Sequence, residues 1–243
     1  MPDTDHLSCA QCGVKNCASR RGTYPEFCLT TSLGIDVVKE VTERYNSDPA
    51  DNKMAQVSAR IEAGYYGTAT RVEETLLFIR DMGYKKVGIA SCVGLLNECS
   101  TFAQIAKAKG IDVYAAACKI GSVDKTSVGL NEEDKNRPGY FEAMCNPILQ
   151  AEALNREGTE LNIVMGLCVG HDTLFIKHSN APISYMIVKD RVLCHNPAAA
   201  LYASNGYYRR LLGPDLPKSR WEKKQENIDE LSRIFEQIKG VLS

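Results

Sequence analysis

The sequence predicts an α/β fold: a Rossmann-like parallel sheet flanked by helices, preceded by a small N-terminal Cys-rich metal-binding segment. Three observations lead there. Short apolar runs recur at 86–91, 111–117, 161–167 and 183–188. Stretches with helical periodicity and caps alternate with them, the pattern of βα units rather than hairpins. Four cysteines crowd into the first 32 residues, where large apolar side chains are few.

Residues 1–32 hold Cys9, Cys12, Cys17 and Cys28. A segment with so little apolar surface cannot fold on its own core, so a staple is expected. Helices follow over 33–47, 50–66 and 70–82. Ser32 is the expected cap of the first, with Ile35, Val38 and Val41 along one face. Thr70 and Glu73 form a capping box for the third, and Gly83 ends it. Lys86 opens the first strand, KVGIAS. A helix over 94–109 stops at Gly110, and the second strand, IDVYAAA, follows. The polar stretch 121–139, containing Pro138, reads as a long functional loop. A helix over 140–156 leads to the third strand, LNIVMGL, and ISYMIV is the fourth. Ile228, Leu231 and Ile234 recur at helical spacing in a last helix over 222–241. The domain division is therefore 1–32 and 33–243.

The formal net charge is -1. A chain that binds nucleic acid generally carries a basic excess, so no nucleic-acid partner is expected. No apolar run approaches the about 18 residues of a membrane helix, and the N-terminus has no secretory pattern. A cytoplasmic location away from membranes is the expectation. Ten cysteines in a reducing compartment point to metal ligation or thiol chemistry rather than structural disulfides.

The sharpest motif is C-x2-C-x4-C-x10-C, from Cys9, Cys12, Cys17 and Cys28. Four thiolates satisfy a tetrahedral zinc ion or give one ligand to each iron of a cubane. Zinc sites more often pair two C-x2-C elements, and the uneven spacing favours an iron–sulfur cluster, [4Fe-4S], with zinc as the alternative. A second set is spatial. Cys92, Cys118 and Cys168 each end a predicted parallel strand, at the edge where open α/β sheets bind ligands. Cys145, read as early in a helix, lies within reach of that edge. These four are the cofactor-binding candidates, to hold a second cluster or to supply reactive thiolates in a small-molecule pocket. VGIASCVG and IVMGLCVG align without a gap, which predicts equivalent positions for Cys92 and Cys168. Cys99 reads as packing, and Cys194 is undecided.

His171 and Asp172 follow Cys168 and are the catalytic candidates, His171 to move a proton or contact substrate and Asp172 to orient it or cap a helix. The Lys189-Asp190-Arg191 loop, also on the binding edge, suits an anionic group. His6 and His178 read as surface residues. Phosphate-loop, dinucleotide, G-x-S-x-G and H-E-x-x-H motifs are missing from the sequence.

Taken together, CAQCGVKNC, KKVGIASCVGL, MCNPILQAEALN, GLCVGHDTLF and VKDRVLCHNPAAALY resemble a family of uncharacterised bacterial and archaeal proteins, described only as predicted metal-binding with a domain of unknown function. The resemblance runs from Cys9 to about Tyr208. It implies metal binding and a site at the strand-end cysteines, but no reaction. Glycine is usual in that family where Cys194 stands, which weakens Cys194 as a ligand. Its occurrence in anaerobes suits oxygen-sensitive clusters. The expected function is an iron–sulfur protein with redox or sulfur-transfer chemistry on an unidentified small molecule or redox partner. The alternatives are a non-catalytic zinc-binding or metal-sensing module, and a thiol-redox enzyme without core metal.

Overall fold

The computed structural model describes residues 7–242, so the placement of His6 lies outside it. Four strands, β1 (Lys86–Ser91), β2 (Asp112–Ala117), β3 (Leu161–Met165) and β4 (Ile183–Ile187), form one parallel sheet in the order β2-β1-β3-β4. The chain leaves β1 toward one side to make β2, then returns past it to make β3 on the other. The switch point thus falls between β1 and β3, where such sheets open a crevice at the strands' C-terminal ends.

The sheet is covered on both faces. Val87 and Ile89 of β1, with Leu161, Ile163 and Met165 of β3, pack on Ile79 of α4 (Arg71–Met82) and on Cys99, Phe102 and Ala106 of α5 (Leu96–Lys107). The alternate residues, Ala90 and Val164, face Ala151 and Leu154 of α6 (Pro147–Arg156) and Phe175 of α7 (His171–His178). Strands covered on two faces read as continuous apolar runs, which is why β1 and β3 stand out in the sequence. Gly88 belongs to this second face. A Cβ there would lie 2.1 Å from Asn162 Oδ1 and 2.8 Å from Leu154 Cδ1, so glycine is what admits the buried Asn162. That amide is satisfied by Ser179 Oγ and Thr159 Oγ1, both at 2.8 Å.

Ahead of the sheet, α1 (Leu29–Ser32), α2 (Ile35–Ser47) and α3 (Pro49–Tyr65) lead into α4. Thr70 and Glu73 cap α4 reciprocally, and Gly83 closes it at φ 78°. Ser32 is not a cap: it ends α1, and Gly34 at φ 82° precedes α2. The helix expected over 140–156 begins only at Pro147. Proline suits a first helical turn and disfavours helix in the residue before it, and Asn146 caps the turn by accepting from Leu149 N–H at 3.1 Å. Cys145 therefore precedes the helix. α8 (Ala198–Tyr202) and α9 (Arg220–Leu242) complete the chain. Ile228, Leu231 and Ile234 of α9 remain exposed. Among the described residues, no helix is long and apolar enough to cross a membrane.

Candidate functional site

The C-terminal edge of the sheet collects four thiols. Cys92 follows β1 directly, and its N–H donates to the Met165 carbonyl at 3.0 Å. Cys118 follows β2. Its carbonyl accepts from Asn146 N–H at 2.8 Å, which returns the long 119–146 excursion to the edge and sets Cys145 beside Cys118. The arms of that excursion are joined by an antiparallel bridge between Asp124 and Ala143 and by Met144 N–H on the Val123 carbonyl at 2.8 Å. At its far end, Lys135 Nζ is held by Asp124 Oδ1 at 2.8 Å and Glu132 Oε1 at 2.7 Å. Cys168 stands after β3, in the turn that enters α7.

β1 pairs with β3 so that Ser91 faces Met165. The internal echo aligns Cys92 with Cys168, but the ladder sets Cys92 level with Gly166. Cys168 consequently lies two residues farther out. The echo reports two turns of similar composition, not a common register.

Each edge sulfur has a polar or cationic neighbour. Lys189 Nζ lies 3.4 Å from Cys92 Sγ, and Arg191 Nη2 lies 3.0 Å from Cys168 Sγ. Val93 N–H donates to Cys118 Sγ at 3.3 Å. Cys118 and Cys145 touch through their sulfurs at 3.9 Å. Cys118 is only 3% exposed, whereas Cys145 keeps part of its surface open. The proton of the pair belongs on Cys118. Its contact with Cys145, and then burial, push its thiol well above the ordinary range. Cys145 is lowered to about 5, first by its contact with Cys118, then by Lys119 and His171 against the opposing effect of burial. The Cys168 sulfur likewise holds the Arg191 guanidinium in its charged form.

His171 opens α7 beside this group, and its Nδ1 is buried without a hydrogen-bond partner among the described residues. Asp172 does not orient that ring through any of its hydrogen bonds. Its carboxylate accepts from Gly170 N–H at 3.0 Å, Thr173 N–H at 2.8 Å and Tyr185 Oη at 3.3 Å. His178, in the last turn of α7, offers its carbonyl to Asn155. Cys99 is buried on the opposite face of the sheet, where desolvation pushes its thiol up. Cys194 is exposed in a left-handed turn at φ 49°, next to His195 at φ 64°, and His195 Nδ1 accepts from Asp190 N–H.

Two contributors were not singled out in the sequence. Lys119 directly follows a strand-end cysteine, the local signal that marks it; its ammonium donates to the Ala143 carbonyl and sits by Cys145. Gln150 carried no such signal. It is fully buried, and its Nε2 donates to the Ser91 and Ala116 carbonyls, tying the ends of β1 and β2 together.

At the N-terminus, the neighbouring backbone amides of Lys15 and then Val14 lower the Cys12 thiol below the ordinary range. Lys15 takes φ 51° to make that turn. Amide donors on a cysteine sulfur favour the thiolate, the form that binds metal. That donor chemistry fits a metal centre. Among the described residues, however, no three His, Cys, Asp or Glu side chains are gathered closely enough to hold one ion. The edge thiols are arranged around cations instead of around a common point. A cavity of about 600 Å³ lies at the opposite edge of the sheet, lined by Arg80, Lys85, Lys109 and Gly110. It holds no thiol and is remote from this chemistry.

A parallel sheet with strand-end thiols and cations gathered along its C-terminal edge defines an α/β protein of the Rossmann-like class. The family described as a protein of unknown function (DUF1847) matches residues 28–186, and the chain belongs to that family. The matched stretch contains Cys92, Cys118, Cys145, Cys168 and His171. The chain is also similar to the uncharacterized protein MJ0455 of Methanocaldococcus jannaschii, at 44% identity over 206 residues, which cover 85% of this chain and 98% of that protein.

Proposed function

We propose that this protein is a metal-dependent thiol protein with two centres. Cys9, Cys12, Cys17 and Cys28 bind an iron–sulfur cluster. The edge thiols Cys92, Cys118, Cys145 and Cys168, with His171, carry out redox or sulfur chemistry on a small molecule. The observation that carries the second centre is the gathering of Lys189, Arg191 and Lys119 beside the sulfurs along the C-terminal edge of the sheet. Thiolates, not thiols, are nucleophilic, and Cys145 is the edge thiol lowered toward that form, first by its contact with Cys118 and then by Lys119 and His171. His171, with a buried and unpartnered Nδ1, is placed to accept or return a proton. The first centre is supported by four thiols in a core-poor segment and by the lowering of the Cys12 thiol. An iron–sulfur cluster bound there supplies electron transfer.

Anaerobic purification followed by iron, acid-labile sulfide and zinc analysis tests the proposal, together with Cys12→Ser. Iron and sulfide that disappear in Cys12→Ser, while the α/β core keeps its thermal transition, are the expected result. Full metal content in that variant would overturn the N-terminal assignment. One zinc and no sulfide would replace the cluster with a zinc site. Alkylation of the edge thiols no faster than that of an unfolded peptide would overturn the thiol centre.

A further inference from the structure

Resting on the thiol half of that reading, we propose that Cys145 and Cys118 form an exchange-active dithiol, in which Cys145 attacks a low-molecular-weight disulfide and Cys118 resolves the product. Three features of the edge carry this. The sulfurs already touch at 3.9 Å, so closing a disulfide requires them to approach to about 2.0 Å. The backbones are tied side by side by Asn146 N–H on the Cys118 carbonyl at 2.8 Å. The pair is also asymmetric in access. Cys145 keeps surface open, while Cys118 is buried behind it with its sulfur steadied by Val93 N–H.

That asymmetry fixes the order of attack. An external disulfide reaches the more open sulfur first, and the buried one can only attack from within. The electrostatics agree: the contact with Cys118, then Lys119 and His171, favour the thiolate on Cys145, while the contact with Cys145, then burial, keep the proton on Cys118. The same cations favour a disulfide that carries carboxylates. In the first step, the Cys145 thiolate bonds to one sulfur of the disulfide, the S–S bond breaks, and the other half leaves as a thiolate. In the second, Cys118 gives up its proton and bonds to Cys145 Sγ. The mixed disulfide breaks, and the second half leaves as a thiol carrying that proton. The two cysteines lose two electrons and the external disulfide gains them. Stabilising the Cys145 thiolate stabilises the reduced pair, so the internal disulfide forms only at a high disulfide-to-thiol ratio.

The test uses the full chain, incubated anaerobically in glutathione buffers of increasing oxidised fraction, quenched in acid, alkylated and mapped by peptide mass spectrometry. One disulfide joining Cys118 and Cys145 should appear at the oxidised end. In Cys118→Ala, glutathione should remain on Cys145. The wild-type map stands even if that variant misfolds. Absence of the internal disulfide at every ratio would overturn the proposal, as would a first adduct on Cys92 or Cys168. So would protection of both cysteines from alkylation until a chelator strips metal. Iron and zinc measured on the same samples separate the two ideas. Loss of the N-terminal metal with the disulfide intact refutes only the metal centre. Metal retained with no disulfide refutes only the dithiol.

Discussion

Arg191 places its Nη2 3.0 Å from Cys168 Sγ, joining a loop beyond β4 to a turn beyond β3 across 23 residues of chain. With Lys189 on Cys92, it brings two cations from one loop to the two sides of the switch point. The polar loop after β4 thereby reaches the strand-end thiols.

Arg191→Ala should lower the preference of Cys168 for anionic reagents. The ratio of alkylation rates with iodoacetate and iodoacetamide reads this directly. It should fall about 3- to 10-fold at low ionic strength, be largely kept in Arg191→Lys, and shrink with added salt. An unchanged ratio would mean that the guanidinium steers nothing to this sulfur.

The rate of Cys145 alkylation should titrate with a midpoint near 5. Cys118→Ala removes the largest cause and should raise that midpoint by about 1–2 pH units. His171→Ala should raise it less, and His178→Ala, at the far end of α7, should leave it alone. Linkage gives the sign for stability. A thiol whose folded value lies below its unfolded value of 9.0 contributes fully above pH 9. That contribution is lost progressively as pH falls toward 5. Cys118, raised on folding, works the other way and removes stability once the pH exceeds its unfolded value of 9.0. Denaturant titrations of wild type and Cys145→Ala across this range should converge at acid pH.

The 119–146 excursion should loosen in acid. Lys135 holds the Asp124 carboxyl well below its ordinary range, and Lys125 does the same for Glu142, lowered to about 2. Depressed carboxyls stabilise the fold above their unfolded values and stop doing so as pH falls through the folded ones. Hydrogen-exchange protection over residues 125–142, taken relative to the intrinsic rate at each pH, should therefore fall below about pH 4.5. In Lys135→Met the loss of protection should already be present at neutral pH. Cys145 alkylation should change with it, because the same excursion sets that sulfur beside Cys118. Exchange in Lys135→Met that matches wild type would remove the ion pair from this role.

Gly166→Ala should cost about 1–3 kcal/mol in denaturant unfolding. Gly166 takes φ 64°, and a Cβ there would come within 2.2 Å of Leu95 Cδ1. The strained turn carries Cys168, so the variant should also slow the Cys168 reaction with iodoacetate. A variant as stable as wild type would show that Leu95 yields without resistance.

The sequence by itself determined the sheet and the chemistry it could carry. Parallel strands buried on both faces run largely apolar, so 86–91 and 161–167 are legible as strands despite Asn162, and a strand that ends in cysteine places a thiol at the binding edge. Thr70, Glu73 and Gly83 marked α4 because caps act within one turn. The amino acids also set the limits of that reading. The Cys-Val-Gly echo suggested a register that the ladder does not keep, because pairing follows inter-strand hydrogen bonds and not similarity of turns. α6 begins seven residues later than the sequence predicts, since its start depends on where the long excursion rejoins the edge. Only the tertiary structure decided that Cys145 meets Cys118, that Lys119, Lys189 and Arg191 gather at the sulfurs, and that Asp172 bonds to Tyr185 and the start of its own helix. Those contacts join residues as far as 97 apart in the chain. They arise from strand order and loop closure, which no local pattern of residues encodes.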